Sequence, residues 1–253
     1  MSATKKKKKD GGENTRAAVV VPCHNEEKRL DSKKFETFID NETNVDFVFV
    51  NDGSSDSTLE LLRKIEARNP RCQVLDLREN RGKAAAVHAG FQEAFKHDYA
   101  YVGFWDADLA TPLDDITRFV EIVKSGKYDC VFGCRVLRMG TEIKRKTSRH
   151  YIGRIYATII SLLLGLPIYD TQCGAKIFRR SEYLEKTFEK PFRTKWVFDV
   201  EIIARMKMYQ QDFHKRVYEC PLEKWTDVEG SQVSLLDGLM AFVDLFKIWT
   251  RYK

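Results

Sequence analysis

Short apolar runs that stop abruptly at polar or turn-forming residues alternate along this chain with segments whose apolar side chains recur every three or four positions. Ala17-Ala18-Val19-Val20-Val21 is such a run; it ends at Pro22, after which Cys23-His24-Asn25-Glu26-Glu27 turns polar. This predicts a buried strand that delivers a polar loop at its end. Val45 to Val50 predicts a second strand, closed by the turn-rich Asn51-Asp52-Gly53-Ser54-Ser55-Asp56, where Ser55 or Asp56 can cap the next helix. Leu59, Leu62 and Ile65 give that helix its core face. Cys72 to Leu77 reads as a third strand, followed through Glu79-Asn80-Arg81-Gly82-Lys83 by a helix over Ala84 to Lys96. Tyr101-Val102-Gly103-Phe104-Trp105 is a fourth strand ending at Asp106-Ala107-Asp108; Pro112 to Val123 is a helix with proline near its first turn, and Tyr128 to Gly133 a fifth strand ending at Cys134-Arg135. This alternation predicts an α/β fold: a Rossmann-like, mostly parallel sheet flanked by helices on both faces, in a single domain.

After Arg135 the pattern is less regular. Residues 136–150 carry Arg138, Lys144, Arg145, Lys146 and Arg149 and read as a basic, mobile loop. Tyr151 to Leu166 is an apolar helix closed by Gly165 and Pro167, and Asp170-Thr171-Gln172-Cys173-Gly174 is a polar loop. Trp196-Val197-Phe198-Asp199-Val200-Glu201 begins a helix, Val217 to Leu222 is a late strand, and apolar residues return at helical spacing from Leu235 to Trp249. The expected organisation is a basic tail over residues 1–15, the main domain over 16–231 and a C-terminal amphipathic helix over 232–253.

With 253 residues, 43% of them hydrophobic, the chain can build a substantial core and is not disordered. Much of the net charge of +6 lies in Lys5 to Lys9, which reads as a solvated tail. Nucleic-acid binding through that tail is the remote alternative, because it leaves the strand-end loops unexplained. None of the six cysteines forms a C-x-x-C pair, which argues against a zinc site or a thioredoxin-type motif and for reduced thiols in a cytoplasmic protein. The longest uncharged apolar stretch, Ile155 to Tyr169, falls short of the roughly 20 residues a spanning helix needs. Two apolar helices still suit peripheral contact with the cytosolic face of a membrane.

The candidate chemistry gathers at the strand ends. Asp106 and Asp108 can hold a hard divalent cation, Mg2+ or Mn2+, through their oxygens, and the cation can hold a diphosphate. Gly82 and Lys83, just before a helix N-terminus, suit contact with phosphate, although the P-loop pattern is absent. Arg135 and the basic residues after it suit an anion. Asp199 at a helix start could simply favour the dipole.

Taken in order, Val21-Pro22-Cys23-His24-Asn25-Glu26, Val50-Asn51-Asp52-Gly53-Ser54-Ser55-Asp56-Ser57-Thr58, Asn80-Arg81-Gly82-Lys83 and Asp106-Ala107-Asp108 resemble the motifs of the family 2 inverting glycosyltransferases, which have the GT-A fold. His24 stands where that family more often has Tyr or Phe. Asp170-Thr171-Gln172-Cys173-Gly174-Ala175-Lys176, Trp196 to Glu201, and Trp225-Thr226-Asp227-Val228-Glu229-Gly230-Ser231 narrow the resemblance to the dolichyl-phosphate (polyprenyl-phosphate) β-glucosyltransferases. Gln232 follows where a lysine is common, and nothing here corresponds to the N-terminal membrane helix of the eukaryotic members. The resemblance implies transfer of a hexose, glucose by analogy, from a UDP-sugar to a polyprenyl phosphate.

It implies that Pro22, Glu26 and Asp52 contact the uridine, with His24, Asn25, Asp56, Gly82, Lys83 and Ala107 completing the donor site, and that Asp106 and Asp108 serve ribose and metal. The expected catalytic residues are Asp199, Asp108 and Arg135; the expected acceptor contacts are Arg135, Arg138, Arg149, Gln172, Trp196 and Trp225. An ionised lipid phosphate needs no strong base. A sugar or protein hydroxyl, the alternative acceptor, does, and Asp199 is then the first candidate with Glu201 and Asp170 behind it. A sugar nucleotidyltransferase would need a Gly-rich basic loop after the first strand, which is missing.

Overall fold

The computed structural model describes residues 15–144, 147–228 and 235–252, with the side chains of 147–150 and 235–240 outside that description. The basic tail at Lys5 to Lys9, the Gly230-Ser231-Gln232 segment and the Arg149 side chain therefore lie outside the described residues.

In chain order the elements are β1 Ala17–Cys23, α1 Ser32–Asn41, β2 Val45–Asn51, α2 Thr58–Arg68, β3 Cys72–Asp76, α3 Lys83–Ala94, β4 Tyr101–Trp105, α4 Asp114–Lys124, β5 Cys130–Cys134, β6 Glu142–Lys144, α5 Thr147–Leu164, β7 Ala175–Arg179, α6 Glu182–Phe188, α7 Phe198–Tyr209, α8 Phe213–Arg216, β8 Val217–Pro221, β9 Lys224–Thr226 and α9 Leu235–Arg251. Seven strands form one sheet in the order β3-β2-β1-β4-β7-β5-β8. Every pairing is parallel except those of β7, which runs antiparallel to both β4 and β5. The sheet is mostly parallel and covered on both faces, as the alternation predicts.

Alternation along β1 shows how the layers are built. Val19 and Val21 face one core with Phe35, Leu62 and Phe119 from α1, α2 and α4. Ala18 and Val20 face the other, with Phe91, Phe188 and Ile203 from α3, α6 and α7. Consecutive residues of a strand point to opposite faces, so a doubly covered strand is apolar throughout, which is why these runs show no polar alternation. Side chains such as Phe91, fully buried and stacked 3.8 Å from Phe188, each contribute about 2–3 kcal/mol by leaving water.

Two local expectations change. The segment read as a mobile basic loop contains β6, which pairs parallel with β9 and is tied by Glu142 N–H to Glu223 O and Asp227 N–H to Lys144 O. α5 begins at Thr147, earlier than its apolar face suggested, because its first turn is basic. The N-cap of α2 is neither expected residue but Ser57, which makes no side-chain capping bond; Asp56, just before it, accepts from the Thr58 amide at 3.0 Å.

The topology positions the site. β1, β2, β3, β4 and β5 end at one edge of the sheet, and β7, being reversed, begins there. The Asp170–Gly174 loop therefore arrives at the same edge as the loops carrying Glu26, Asp52, Lys83 and Asp106. Open α/β sheets bind ligands along such an edge.

Candidate active site

The loops after β1, β2 and β3 are stitched into one wall. The Asp52 amide donates to Cys23 O, and the two Asp52 carboxylate oxygens accept from the Arg81 and Gly82 amides at 2.8 and 2.7 Å. Gly53 has φ +62°, and a Cβ there would fall 2.4 Å from the Asn80 nitrogen, so only glycine lets the second loop lie against the third. His24 bridges the same loops, with Nδ1 2.9 Å from Asp52 O and Nε2 2.9 Å from Asn80 Nδ2. Asn25 and Asp56, expected at the donor, do not line the cleft. Asn25 accepts from the Ser55 amide, and Asp56 accepts from the Glu27 and Thr58 amides.

Pro22, His24, Glu26, Asp52, Gly82 and Lys83 line a cleft of about 1370 Å³, and Asp106, Ala107 and Asp108 form part of its floor. Here carboxylates outnumber cations. Lys83 Nζ lies 2.5 Å from Asp106 Oδ1, while Glu26 Oε1 accepts from Arg29 at 2.6 Å and the buried Oε2 has no partner among the described residues. Burial, and then Asp108 and Asp106 nearby, push Glu26 up to about 7 against the pull of Arg29. Burial and the Asp106 charge likewise raise Asp108, partly offset by the Ala110 amide. Such a cluster has spare oxygen ligands and wants positive charge, which fits a hard divalent cation. Among the described residues no three metal-ligating side chains converge closely enough to hold an ion alone. An ion at Asp106 and Asp108 would complete its shell with ligand oxygens. Gly174 closes this corner: its carbonyl accepts from the Asp106 amide, and a Cβ on it would fall 1.9 Å from Asp106 Oδ2.

The far wall carries the residues expected to handle the acceptor. Arg135 lines the cleft but forms a two-pronged pair with Asp170, at 2.7 and 2.8 Å, and lies 5.2 Å from the Trp225 ring centre. Burial alone would raise Asp170, yet the Arg135 charge and its hydrogen bonds outweigh that and hold the carboxyl at about 2. Asp170 is thus an anchor rather than a base. Glu201, fully buried, serves Arg205, Tyr252 and the Thr194 hydroxyl, and does not reach the cleft. Asp199 is 4% exposed, does not line the cleft, and is paired at 2.5 Å with Lys176, which has no exposure at all. Gln172, Trp196 and Trp225 do line the cleft, whereas Arg138 lies outside it. Cleft-lining Arg154, Lys195, Tyr156 and Thr171 were not singled out. Thr171 stood inside a motif already read, and Arg154 was visible as a lone charge on an apolar helix. Beyond Arg154 the cleft opens onto Ile152 and Ile155 of α5 and Phe242 of α9, whose side chains are 67%, 63% and 46% exposed.

With this arrangement in place, likeness to known proteins settles the family. Residues 18–186 match the model of Glycosyl transferase family 2. The chain belongs to that family. Among family 2 relatives, dolichyl-phosphate beta-glucosyltransferase ALG5D of Trichomonas vaginalis is 31% identical across 92% of this chain and 73% of its own. Dolichyl-phosphate beta-glucosyltransferase of Homo sapiens is 29% identical across 93% and 75%. Glucosyl-3-phosphoglycerate synthase of Mycobacterium tuberculosis, solved with UDP, superposes with a TM-score of 0.64 over 94% of this chain and 79% of its own. A mannosyltransferase of Pyrobaculum calidifontis, solved with GDP-Man and Mn2+, gives 0.57 over 86% and 58%. At 16% and 20% identity these two show a shared fold.

Proposed function

We propose that this glycosyltransferase moves glucose, with inversion, from UDP-glucose to a polyprenyl phosphate of the dolichyl type at a membrane surface. The observation that carries the reading is one continuous cleft running from the acid cluster at Asp106 to the exposed apolar side chains of Ile152, Ile155 and Phe242. A nucleotide diphosphate suits the first end and a lipid the second. The names of the relatives agree, as do the Mn2+ and UDP-glucose held by the mycobacterial structure.

The chain's own groups divide the work. Pro22 and the Asp52 carboxylate, which has lone pairs beyond those given to Arg81 and Gly82, receive the uracil. Asp106 and Asp108 would hold Mg2+ or Mn2+, which would supply positive charge against the diphosphate. Lys83, beside Asp106 at the start of α3, supplies a cation for a phosphate oxygen. The acceptor phosphate needs no base, which suits a site whose candidate base, Asp199, is withdrawn behind Lys176. Arg154 and Lys195, which form no ion pair with a carboxylate among the described residues, replace Arg135 as the cations that meet it. The α5 and α9 faces rest on the membrane as a peripheral contact; among the described residues no helix is long and apolar enough to cross one.

Radiolabelled UDP-glucose, Mn2+ and a polyprenyl phosphate in vesicles should yield acid-labile, lipid-extractable label. Transfer to a sugar or peptide hydroxyl with none to the phosphate would overturn the reading.

A further inference from the structure

Among the described residues, several buried side-chain atoms have no hydrogen-bond partner, and three of them, Tyr156 Oη, Thr171 Oγ1 and Gln172 Nε2, belong to residues that line the cleft beyond the acid cluster. A buried polar atom without a partner is costly, and such atoms persist where a ligand satisfies them. Thr171 is 2% exposed, so water reaches it poorly.

The loop that carries two of these groups is held unusually firmly. Lys176 Nζ takes the carbonyls of Thr171 and Cys173 at 2.9 and 2.6 Å, and Asp170 Oδ1 accepts from the Gln172 amide at 3.1 Å. At its far end Gly174 presses on Asp106. The backbone is thus tied at several points, while Thr171 Oγ1 and Gln172 Nε2 keep unused capacity. Tyr156 comes from α5 across the cleft, its ring 5.7 Å from Phe242, and Asp199 is near enough to help raise its phenol, after burial and Asp244.

Position names the ligand. Gln172 and Thr171 lie two and three positions before Gly174, which abuts the carboxylate assigned to the diphosphate end of the donor. In a nucleotide sugar the hexose is joined directly to that diphosphate. The three groups are neutral, two hydroxyls and an amide, which suits sugar hydroxyls better than a phosphate dianion, for which charged donors are the stronger partners. The geometry points to Thr171, Gln172 and Tyr156 as the residues that read the hydroxyls of the transferred hexose, with Lys176 as the positioning residue that pre-forms their loop. This rests on the nucleotide-sugar donor proposed above. A site built to pair a hydroxyl rejects an analogue that lacks it far better than an apolar pocket does, so these residues set which hexose is transferred.

The near-isosteric variants Thr171→Val, Gln172→Met and Tyr156→Phe test this by calorimetric titration with UDP and with UDP-glucose, Mn2+ present throughout. Each variant should bind UDP within twofold of wild type and UDP-glucose about 5- to 50-fold more weakly. Deoxy analogues of UDP-glucose should lose affinity for wild type, while the variant that cannot pair the missing hydroxyl binds analogue and parent alike. Equal weakening of UDP and UDP-glucose, or a change only in KM for polyprenyl phosphate with donor binding intact, would overturn the assignment. Wild type failing to bind UDP-glucose at all would instead overturn the donor reading. If Lys176→Met folds with the wild-type circular dichroism spectrum, it should weaken UDP-glucose but not UDP; an equal effect on both removes its positioning role.

Discussion

Asp170 illustrates how a residue beside a cleft can serve as an anchor rather than as a base. Its carboxylate is bound to Arg135 in two places, and its own amide donates to Glu219 at 2.7 Å. With a folded value near 2, below its ordinary 3.8, the group contributes stability that is complete above about pH 4 and lost as pH falls through 2. That contribution is about 2 kcal/mol. Asp170→Asn should therefore lower unfolding free energy by about 2–4 kcal/mol at pH 7, because the Arg135 charge is left buried without its counterion. The gap to wild type should narrow toward pH 2 in urea titrations; a gap independent of pH refutes the ion-pair account. The sequence made this residue visible as a polar group in a motif but not as a structural one, since its partner lies 35 positions away. The same holds for Asp199 and Glu201. Their helix-start position was legible, while the Lys176 and Arg205 side chains that occupy them depend on tertiary packing. By contrast Glu26, Asp52, Lys83, Asp106 and Asp108 were legible together, because a covered strand has nowhere to put polar residues except its end.

At the scale of elements, strand and helix alternation from β2 to β5 was readable from apolar runs, helical spacing and turn residues. The reversal of β7 was not, for a five-residue strand reads the same in either direction. Nor was β6, whose three residues are too few to carry a pattern and whose pairing partner β9 is far along the chain. α5 is the element with most left to test. Its Ile152 and Ile155 are exposed beside Arg154, an apolar and basic combination suited to an anionic bilayer. An Ile152→Asp, Ile155→Asp double variant should bind anionic vesicles at least about tenfold more weakly and raise KM for vesicle-embedded polyprenyl phosphate in step, given the roughly 1.5–3 kcal/mol each side chain gains by leaving water. Donor affinity should stay the same. Unchanged vesicle binding would assign this face another partner.

Across the whole molecule, the cleft proposed to take the donor is lined by loops from both halves of the chain, so donor binding should register as global stability. Saturating UDP-glucose with Mn2+, at about a hundred times its Kd, stabilises by about 2.7 kcal/mol. For a chain of this size that corresponds to a rise in Tm of about 5–10 °C in a thermal scan. A chelator should abolish most of it; a shift that survives chelation would show that Asp106 and Asp108 bind the donor without metal.

The reversed strand between β4 and β5 also sets an order of assembly. β4 is complete at Trp105, but its neighbour in the sheet is residues 175–179, and β5 can join only through that strand. On a chain made from its N-terminus, β3, β2, β1 and β4 can pair early and then wait with an open edge while some seventy further residues emerge. Such an edge is open to wrong partners until β7 docks. The step that seals it is the same one that brings Gly174 against Asp106, so the nascent sheet loses its exposed edge and acquires its catalytic corner in one event.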